Sequence, residues 1–202
     1  MELVIASKNV HKIREFRSML KPLSQLDVYS LLDFPSYTPL PETGTTFEEN
    51  ASAKATHAAK TLDKIVIADD SGIVILALDG KPGINSARYA GENATDKENR
   101  EKLLKEMAHL KDSERAAYYE CCIAVATPEG QTKVVRGLCE GEILLTERGN
   151  LGFGYDSLFI KYDYSKTFAE MNEETKNRIS HRRKAIEKVL PYLESLCNTV
   201  HS

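Results

Sequence analysis

The chain has 202 residues, and its 27 Lys and Arg against 30 Asp and Glu give a formal net charge of −3. This length can bury a core without disulfide bonds, and a content of 42% hydrophobic residues excludes a wholly disordered chain. No apolar run approaches the roughly 20 residues of a membrane span, and the near-neutral charge is atypical of a dedicated DNA-binding protein. We therefore expect one domain over residues 1–202, without membrane or nucleic-acid partners.

The cysteines and the N-terminal residues indicate a cytoplasmic protein. None of the four cysteines forms a C-x-x-C pair, and Cys121 and Cys122 lie in an apolar run. Buried free thiols in a reducing compartment are therefore favoured over a zinc site or disulfides. The apolar stretch at the N-terminus is too short for a signal peptide.

The first third of the chain alternates between strand and helix patterns. An apolar strand, Leu3–Ala6, and a polar turn precede a helix with apolar residues at helical spacing, and a second strand follows near Leu26–Ser30. After a proline-rich loop, a second helix is predicted to end near Leu62. Its N-cap and capping-box partner are expected among Thr45 or Thr46 and Glu48 or Glu49.

The middle of the chain predicts two short strands, a helix and a hairpin. Ile65–Ala68 is predicted to be a buried strand that ends in a turn at two acids, and residues 73–78 are predicted to be a further strand. A polar helix is expected over Asp96–Met107. Ala116–Ala126 and Thr132–Glu140 are predicted to form a β-hairpin.

Strand and helix patterns continue to the end of the chain. A strand is predicted at residues 157–160, and helices are predicted from about Glu173 and over Ser180–Leu196. This mixture of strands, helices and a hairpin indicates an α/β protein with a mostly antiparallel or mixed sheet.

Asp69 and Asp70 are the first candidate site, because they directly follow an apolar strand. Two adjacent carboxylates need a cation or a basic partner if they are buried, and oxygen ligands suit Mg²⁺ or Mn²⁺. Asp-Ser-Gly is equally ordinary turn chemistry, so both interpretations stay open. Glu42 and Glu49 are further candidate ligands, or else exposed loop and cap acids.

The polar turn Ser7–Lys12 is the second candidate. A strand, a turn and a helix in this order present backbone N–H groups and the positive helix end to an anion, with charge from Lys8 and Lys12. Plain helix capping by Ser7 or Asn9 is the alternative. The chain has no G-x-x-x-x-G-K-[ST] sequence, so it is not a P-loop NTPase.

An aromatic loop and a basic segment are the remaining candidates. Gly152–Asp156 places Phe153 and Tyr155 among glycines, either as a surface for base stacking or as an ordinary hairpin turn. Ser180–Lys184 puts cations at a predicted helix start, where an anionic ligand would relieve their conflict with the helix dipole. A solvated charged face is the alternative. Together, the four candidates are compatible with a nucleoside triphosphate site.

Seven segments, in order along nearly the whole chain, resemble the inosine triphosphate pyrophosphatase family. They are Ser7–Lys12 (SKNVHK), Glu42–Ala51, Ala68–Gly72 (ADDSG), Pro82–Gly91, Gly152–Phe159 (GFGYDSLF), Lys166–Met171 and Lys176–Arg182. The resemblance implies an α/β fold with a mixed, elongated sheet, flanking helices and two lobes around a central nucleotide-binding cleft. It also implies a homodimer that hydrolyses noncanonical purine nucleoside triphosphates (ITP, dITP and XTP) to the monophosphate and pyrophosphate. The cofactor implied is Mg²⁺, with Mn²⁺ as a substitute.

The resemblance implies roles for individual residues. The metal-binding acids fall on Glu42 and Asp70, and Asp70 is also the proton acceptor. The substrate contacts fall on Ser7, Lys8, Asn9, Val10, His11, Lys12, Ser71, Phe153, Gly154, Tyr155, Asp156, Lys176, His181 and Arg182. Lys8 stands where many members have Gly, and Ser157 where Pro is common. A positive φ at Lys8 would strain the phosphate turn.

These assignments predict a reaction in which water attacks the α-phosphorus and pyrophosphate leaves. Asp70 accepts a proton from the water, and Lys12 and Lys176 neutralise charge on the leaving pyrophosphate. Asp69 is the alternative for one of the two roles given to Asp70.

Selectivity requires a donor that accepts the 6-oxo group of hypoxanthine and leaves the 6-amino group of adenine unpaired. Donors around His181 and Arg182 are the candidates, with Phe153 or Tyr155 stacked on the base. Two other functions stay open: a nucleotide- or RNA-binding module without catalysis, and a pyrophosphatase for other modified or pyrimidine triphosphates. The acids disfavour the first, because carboxylates repel phosphate unless a metal intervenes.

Overall fold

The protein is described by a computed structural model that covers residues 1–199, with side chains through residue 198. The strands are β1 Glu2–Ile5, β2 Asp27–Ser30, β3 Ile65–Ile75, β4 Ala116–Ala126, β5 Thr132–Ile143 and β6 Phe159–Lys161. The helices are α1 Val10–Leu20, α2 Phe47–Leu62, α3 Asp96–Glu106, α4 Glu173–Ile179 and α5 His181–Thr199. None of the helices in this part of the chain has the length and apolar character that crossing a membrane requires.

The six strands found within residues 1–199 form one sheet in the order β2-β1-β3-β4-β5-β6. β1 runs parallel to both β2 and β3, with Leu3 opposite Val28 and Ile65. β5 and β6 are antiparallel, with Ile143 opposite Phe159. The sheet is therefore mixed, and the predicted α/β class with a mixed sheet and flanking helices is confirmed.

The predicted turn after Ala68 is wrong, because β3 continues without interruption to Ile75. The strand can pass Asp69 and Asp70 since both carboxylates have charged or amide partners. It can pass Gly72 since the bare backbone lets Ser86 approach, where a Cβ would overlap the Ser86 hydroxyl. Residues 76–78 form a short 3-10 turn rather than the end of a strand.

Two compact units divide the chain, and the first contains residues 1–70, 121–137 and those from 182 onward. Its core joins apolar side chains of α1 and α5 to those of β1, β3 and β4. On α1 the buried apolar residues are Ile13, Phe16, Met19 and Leu20, at the predicted helical spacing.

The second unit contains residues 71–120 and 138–181. Its core is rich in aromatic side chains, and Tyr119 lies at its centre. The Tyr119 ring stacks on Phe168 at 5.9 Å between centroids and meets Phe159 edge-on at 4.8 Å. The aromatic loop, Gly152–Asp156, is anchored in this core through Tyr155.

The start of α2 was predictable from residues close to it in sequence. Thr46 is the N-cap of α2 and accepts from the Glu49 backbone N–H, while the Glu49 carboxylate accepts from Thr45. The predicted cap at Thr46 is confirmed, but Glu49 bonds to Thr45 in place of the Thr46 N–H that the predicted capping box requires. All four cysteines are buried free thiols, as expected from their spacing.

Candidate active site

Asp69 lies in β3 as a buried carboxylate with two cationic partners. Its Oδ2 accepts from Arg182 Nη2 at 2.7 Å, and Lys12 Nζ lies 3.1 Å from the same oxygen. Burial alone would raise the pKa of Asp69, but Lys12 and Arg182 outweigh burial and hold that pKa well below its usual range. Asp69 is therefore an ionised and strongly bound group.

Arg182 is the second residue of α5 and is not an exposed cation. Its side chain is 1% exposed and binds the carboxylates of both Asp69 and Glu15. The hypothesis that this helix start needs an anionic ligand is therefore corrected for Arg182, because two protein carboxylates already neutralise it. Lys184, by contrast, is exposed.

Asp70, the next residue of β3, has a different environment. Asn50 Nδ2 donates to its Oδ2 at 2.9 Å, and Lys54 Nζ lies 3.6 Å from its Oδ1. Burial raises the pKa of Asp70, and the attraction of Lys54 offsets this rise only in part. Two neighbouring acids thus have pKa values shifted in opposite directions.

Lys54 connects Asp70 to Glu42. Its Nζ lies 2.8 Å from Glu42 Oε1, so one ammonium group faces both carboxylates. Burial lowers the pKa of Lys54, but the attraction of the surrounding acids outweighs burial and raises it. Glu42 and Asp70 are therefore close enough to share a cation.

The chemistry of this pair fits a magnesium ion. Both groups offer hard carboxylate oxygens, and burial raises the pKa of Asp70, so a cation beside this carboxylate would stabilise its charged form. Across residues 1–199 there is no cluster of three or more His, Cys, Asp or Glu side chains with metal-site geometry. Mg²⁺ commonly uses one or two carboxylates and completes its shell with water and substrate phosphate.

The turn at Ser7–Lys12 has the cap expected at a helix start. Asn9 Oδ1 accepts from the backbone N–H groups of His11 and Lys12, and the Asn9 N–H donates to Ser7 Oγ. Lys8, Asn9, Val10 and His11 are exposed, and Lys8 does not adopt a positive φ. Lysine therefore fits the turn without strain at this position.

Asp156 organises the aromatic loop of the second unit. Its Oδ2 accepts from Lys176 Nζ at 2.7 Å and from the Phe153 N–H at 3.0 Å. Its Oδ1 accepts from Tyr119 Oη at 3.3 Å. The carboxylate is 3% exposed, so it acts as the internal anchor of the loop.

Phe153 and Tyr155 point to different environments. Tyr155 is 3% exposed, and its hydroxyl donates to the Ser86 carbonyl at 2.9 Å. Phe153 is half-buried, and Lys176 Nζ lies 4.6 Å from its ring centroid. Of the two stacking candidates, the geometry favours Phe153, because the ring of Tyr155 is packed in the core.

Lys176 and His181 also lie within the second unit. The Lys176 ammonium binds Asp156 and lies over the Phe153 ring, so its described contacts are within the aromatic loop, and its predicted contact with pyrophosphate stays a prediction. The His181 ring stacks on Tyr119 with centroids 4.6 Å apart and planes 9° apart. Ser71 follows Asp70 in β3 and is half-buried.

Residues 3–192 match the family model described as the Ham1 family. The chain belongs to the Ham1 family. This membership confirms the resemblance drawn from the seven sequence segments. The dITP/XTP pyrophosphatase of Protochlamydia amoebophila is 57% identical over 97% of this Ham1 chain and 99% of its own. That of Chlamydia caviae is 53% identical over 97% and 96%.

Solved Ham1 proteins share the fold. The Ham1 protein of Staphylococcus aureus has a TM-score of 0.85 at 44% identity, and the HAM1 protein of Coxiella burnetii has a TM-score of 0.87 at 40% identity. Each similarity covers 96% of this Ham1 chain and 99% of the solved chain.

Sequence reasoning missed several partners of the predicted residues in this Ham1 chain. Asn50 and Lys54 are four residues apart on α2 and both bind Asp70. Their spacing on an alanine-rich helix was the available signal, since residues at i and i+4 share one face. Glu15 and Tyr119 had no comparable local signal, because their partners lie far away in sequence.

Proposed function

We propose that this chain hydrolyses noncanonical purine nucleoside triphosphates, namely ITP, dITP and XTP, to the monophosphate and pyrophosphate. The main observation behind the proposal is that the carboxylates of Glu42 and Asp70 both face the ammonium group of Lys54. Near full-length relatives at 53% and 57% identity that are named dITP/XTP pyrophosphatase support it. Residues 1–202 act as one pyrophosphatase domain in this proposal.

The proposed cofactor is Mg²⁺, with Mn²⁺ as a substitute, held by Glu42 and Asp70. Bound there, the ion supplies positive charge that neutralises phosphate oxygens and favours ionisation of a nearby water. Lys54 holds the two carboxylates near each other at 2.8 and 3.6 Å. It thereby limits their mutual repulsion before the ion binds.

Asp70 is the proposed proton acceptor for the water that attacks the α-phosphorus. Burial raises the pKa of Asp70, so its carboxylate is the better proton acceptor of the two adjacent acids. Asp69 is poorly suited to this role, because Arg182 and Lys12 stabilise its ionised form. We assign Asp69 the role of holding Lys12 and Arg182 in place.

The exposed turn Ser7–Lys12 is the proposed triphosphate contact. It begins α1, where the helix dipole favours an anion, while the His11 and Lys12 N–H groups are bonded to Asn9 Oδ1. Lys12 Nζ is held by Asp69 yet 18% of its side chain is exposed, which leaves the ammonium accessible to phosphate. Neutralisation of the departing pyrophosphate is its proposed contribution.

The aromatic loop, Phe153–Asp156, is the proposed contact for the base, with Phe153 stacking on the ring. Lys176 Nζ lies over the Phe153 ring. Asp156 holds both residues, because its Oδ2 accepts from Lys176 Nζ and from the Phe153 N–H. Lys176 and His181 are the proposed donors for the 6-oxo group. Adenine presents a donor at the same position, so a buried donor there would be left unpaired with ATP.

The first experiment is pyrophosphate release from ITP, dITP, XTP, GTP, ATP and UTP, each with Mg²⁺ and with EDTA. Metal-dependent release from ITP, dITP and XTP with little from ATP is expected. Equal pyrophosphate release from ATP, or release from UTP alone, would contradict the proposed specificity for noncanonical purine triphosphates. Nucleotide binding without release would instead favour a binding module.

A homodimer in the cytoplasm is proposed as well, on the ground of the family resemblance. Light scattering of the purified chain at micromolar concentration tests the assembly: twice the chain mass is expected, and the mass of one chain would refute it.

A further inference from the structure

Two side chains of α3 bind both polar backbone groups of Gly154 in the aromatic loop. Asp96 Oδ2 accepts from the Gly154 N–H at 2.7 Å, and Arg100 Nη1 donates to the Gly154 carbonyl at 2.9 Å. Residues four apart lie on one face of a helix, so the pair matches the two ends of a single residue.

This grip compensates for the flexibility of the loop backbone. Gly154 has a φ of +60° and Gly152 a φ of +75°. Glycine adopts such positive φ angles readily because it has no side chain. The neighbouring residues bond within the loop, since the Asp156 N–H donates to the Phe153 carbonyl at 3.2 Å. The peptide groups of Gly154 bond instead to α3.

Arg100 also fixes the residue that follows the loop. Its Nε donates to Glu147 Oε2 at 2.9 Å, and the same oxygen accepts from Ser157 Oγ at 2.8 Å. The Arg100 side chain is 18% exposed and that of Glu147 is 36% exposed, so the charged pair is partly open to water. One guanidinium group thereby holds the loop at Gly154 directly and at Ser157 through Glu147.

We propose that Asp96 and Arg100 are positioning residues that hold Phe153 in place for the base of the nucleotide. They bond to the loop backbone, and the role rests on the proposed function. Their removal is expected to weaken base binding while leaving the proposed acid–base groups, Glu42 and Asp70, intact. Removal of either side chain is therefore expected to change KM rather than kcat.

Arg100→Ala and Asp96→Ala test the role on the full-length enzyme. Each is expected to raise KM for ITP and XTP about five- to tenfold with kcat within about twofold of wild type. Asp96→Asn keeps an acceptor oxygen and is expected to restore most of the KM. Glu101→Ala is the matched control, since Glu101 lies on the same helix and is 60% exposed.

A second readout is amide hydrogen exchange of Gly154, which is expected to accelerate in Asp96→Ala and to stay slow in Glu101→Ala. Wild-type KM values in both alanine variants would overturn the positioning role, as would a KM increase of equal size in Glu101→Ala. An inactive wild-type chain would be recognised separately, because it overturns the proposed function and with it this role.

Discussion

Arg182 Nη2 donates to Asp69 Oδ2 across 2.7 Å, in a pair whose side chains are 1% and 2% exposed. This contact distinguishes two acids that are adjacent in sequence. Asp69 is ionised and fully bound, whereas the pKa of Asp70 is raised by burial. The same strand therefore carries two neighbouring carboxylates whose pKa values are shifted in opposite directions.

Asp70→Asn is expected to lower pyrophosphate release from ITP by about 10³-fold or more, because it removes the proposed proton acceptor and a metal ligand. Burial raises the pKa of Asp70 in the folded state, so its charge costs stability, and a neutral amide should leave the melting temperature equal or higher. Asp63→Asn, at an exposed position of the first unit, is the control. Wild-type kcat in Asp70→Asn would reject the assignment.

Glu42→Gln is expected to raise the Mg²⁺ concentration for half-maximal activity by about tenfold, because one anionic ligand is lost. Titration of activity with Mg²⁺ measures this directly. Glu48→Gln, an exposed acid in the first turn of α2, should leave the titration unchanged. A loss of kcat at saturating Mg²⁺ with an unchanged midpoint would contradict a ligand role for Glu42.

Lys12→Ala should weaken binding of the triphosphate substrate more than binding of the monophosphate product, since the Lys12 ammonium is proposed to face the leaving pyrophosphate. KM for ITP is expected to rise about tenfold, while the inhibition constant of IMP changes less than about twofold. Lys60→Ala, an exposed lysine on α2, serves for comparison. Equal losses for both ligands would show that Lys12 acts through the structure of Asp69.

Asp69→Asn is expected to reduce the free energy of unfolding by about 3 kcal/mol, because it leaves a buried cationic group short of a partner. Urea denaturation measures the change. Glu187→Gln breaks the exposed pair with the neighbouring Arg183 and should cost less than about 1 kcal/mol. Similar losses of unfolding free energy in the two variants would mean that the buried Arg182–Asp69 pair stabilises the fold no more than an exposed pair does.

The elements that could be predicted from sequence are those with a local signal. The apolar spacing of α1 and the cap at Thr46 depend on nearby residues, and both are confirmed. The turn predicted after Ala68 is wrong because Asp, Ser and Gly favour turns only when nothing else binds them. Here Arg182 and Asn50, distant in sequence, stabilise the extended strand.

The candidate site was predictable as a set of residue types and not as a set of partners. Asp69 and Asp70 stand out at the end of an apolar run, but their opposite pKa shifts depend on which cations approach them. Tyr155 reads as a displayed aromatic residue, yet its hydroxyl reaches the buried Ser86 carbonyl. Arg100 lies in the predicted polar helix Asp96–Met107, and the sequence does not show that Gly154 lies against it.

Gly72 gives β3 a place where the absence of a side chain matters. Ser86 occupies the space that a methyl group would need, and the Ser86 carbonyl receives the hydroxyl of Tyr155. A side chain at this position would displace Ser86 and, through it, the Tyr155 hydroxyl, although glycine contributes no chemical group to either contact. Tolerance of substitution at Gly72 is therefore set by the packing of Ser86 and, in the proposed function, by the position of the loop that contacts the base.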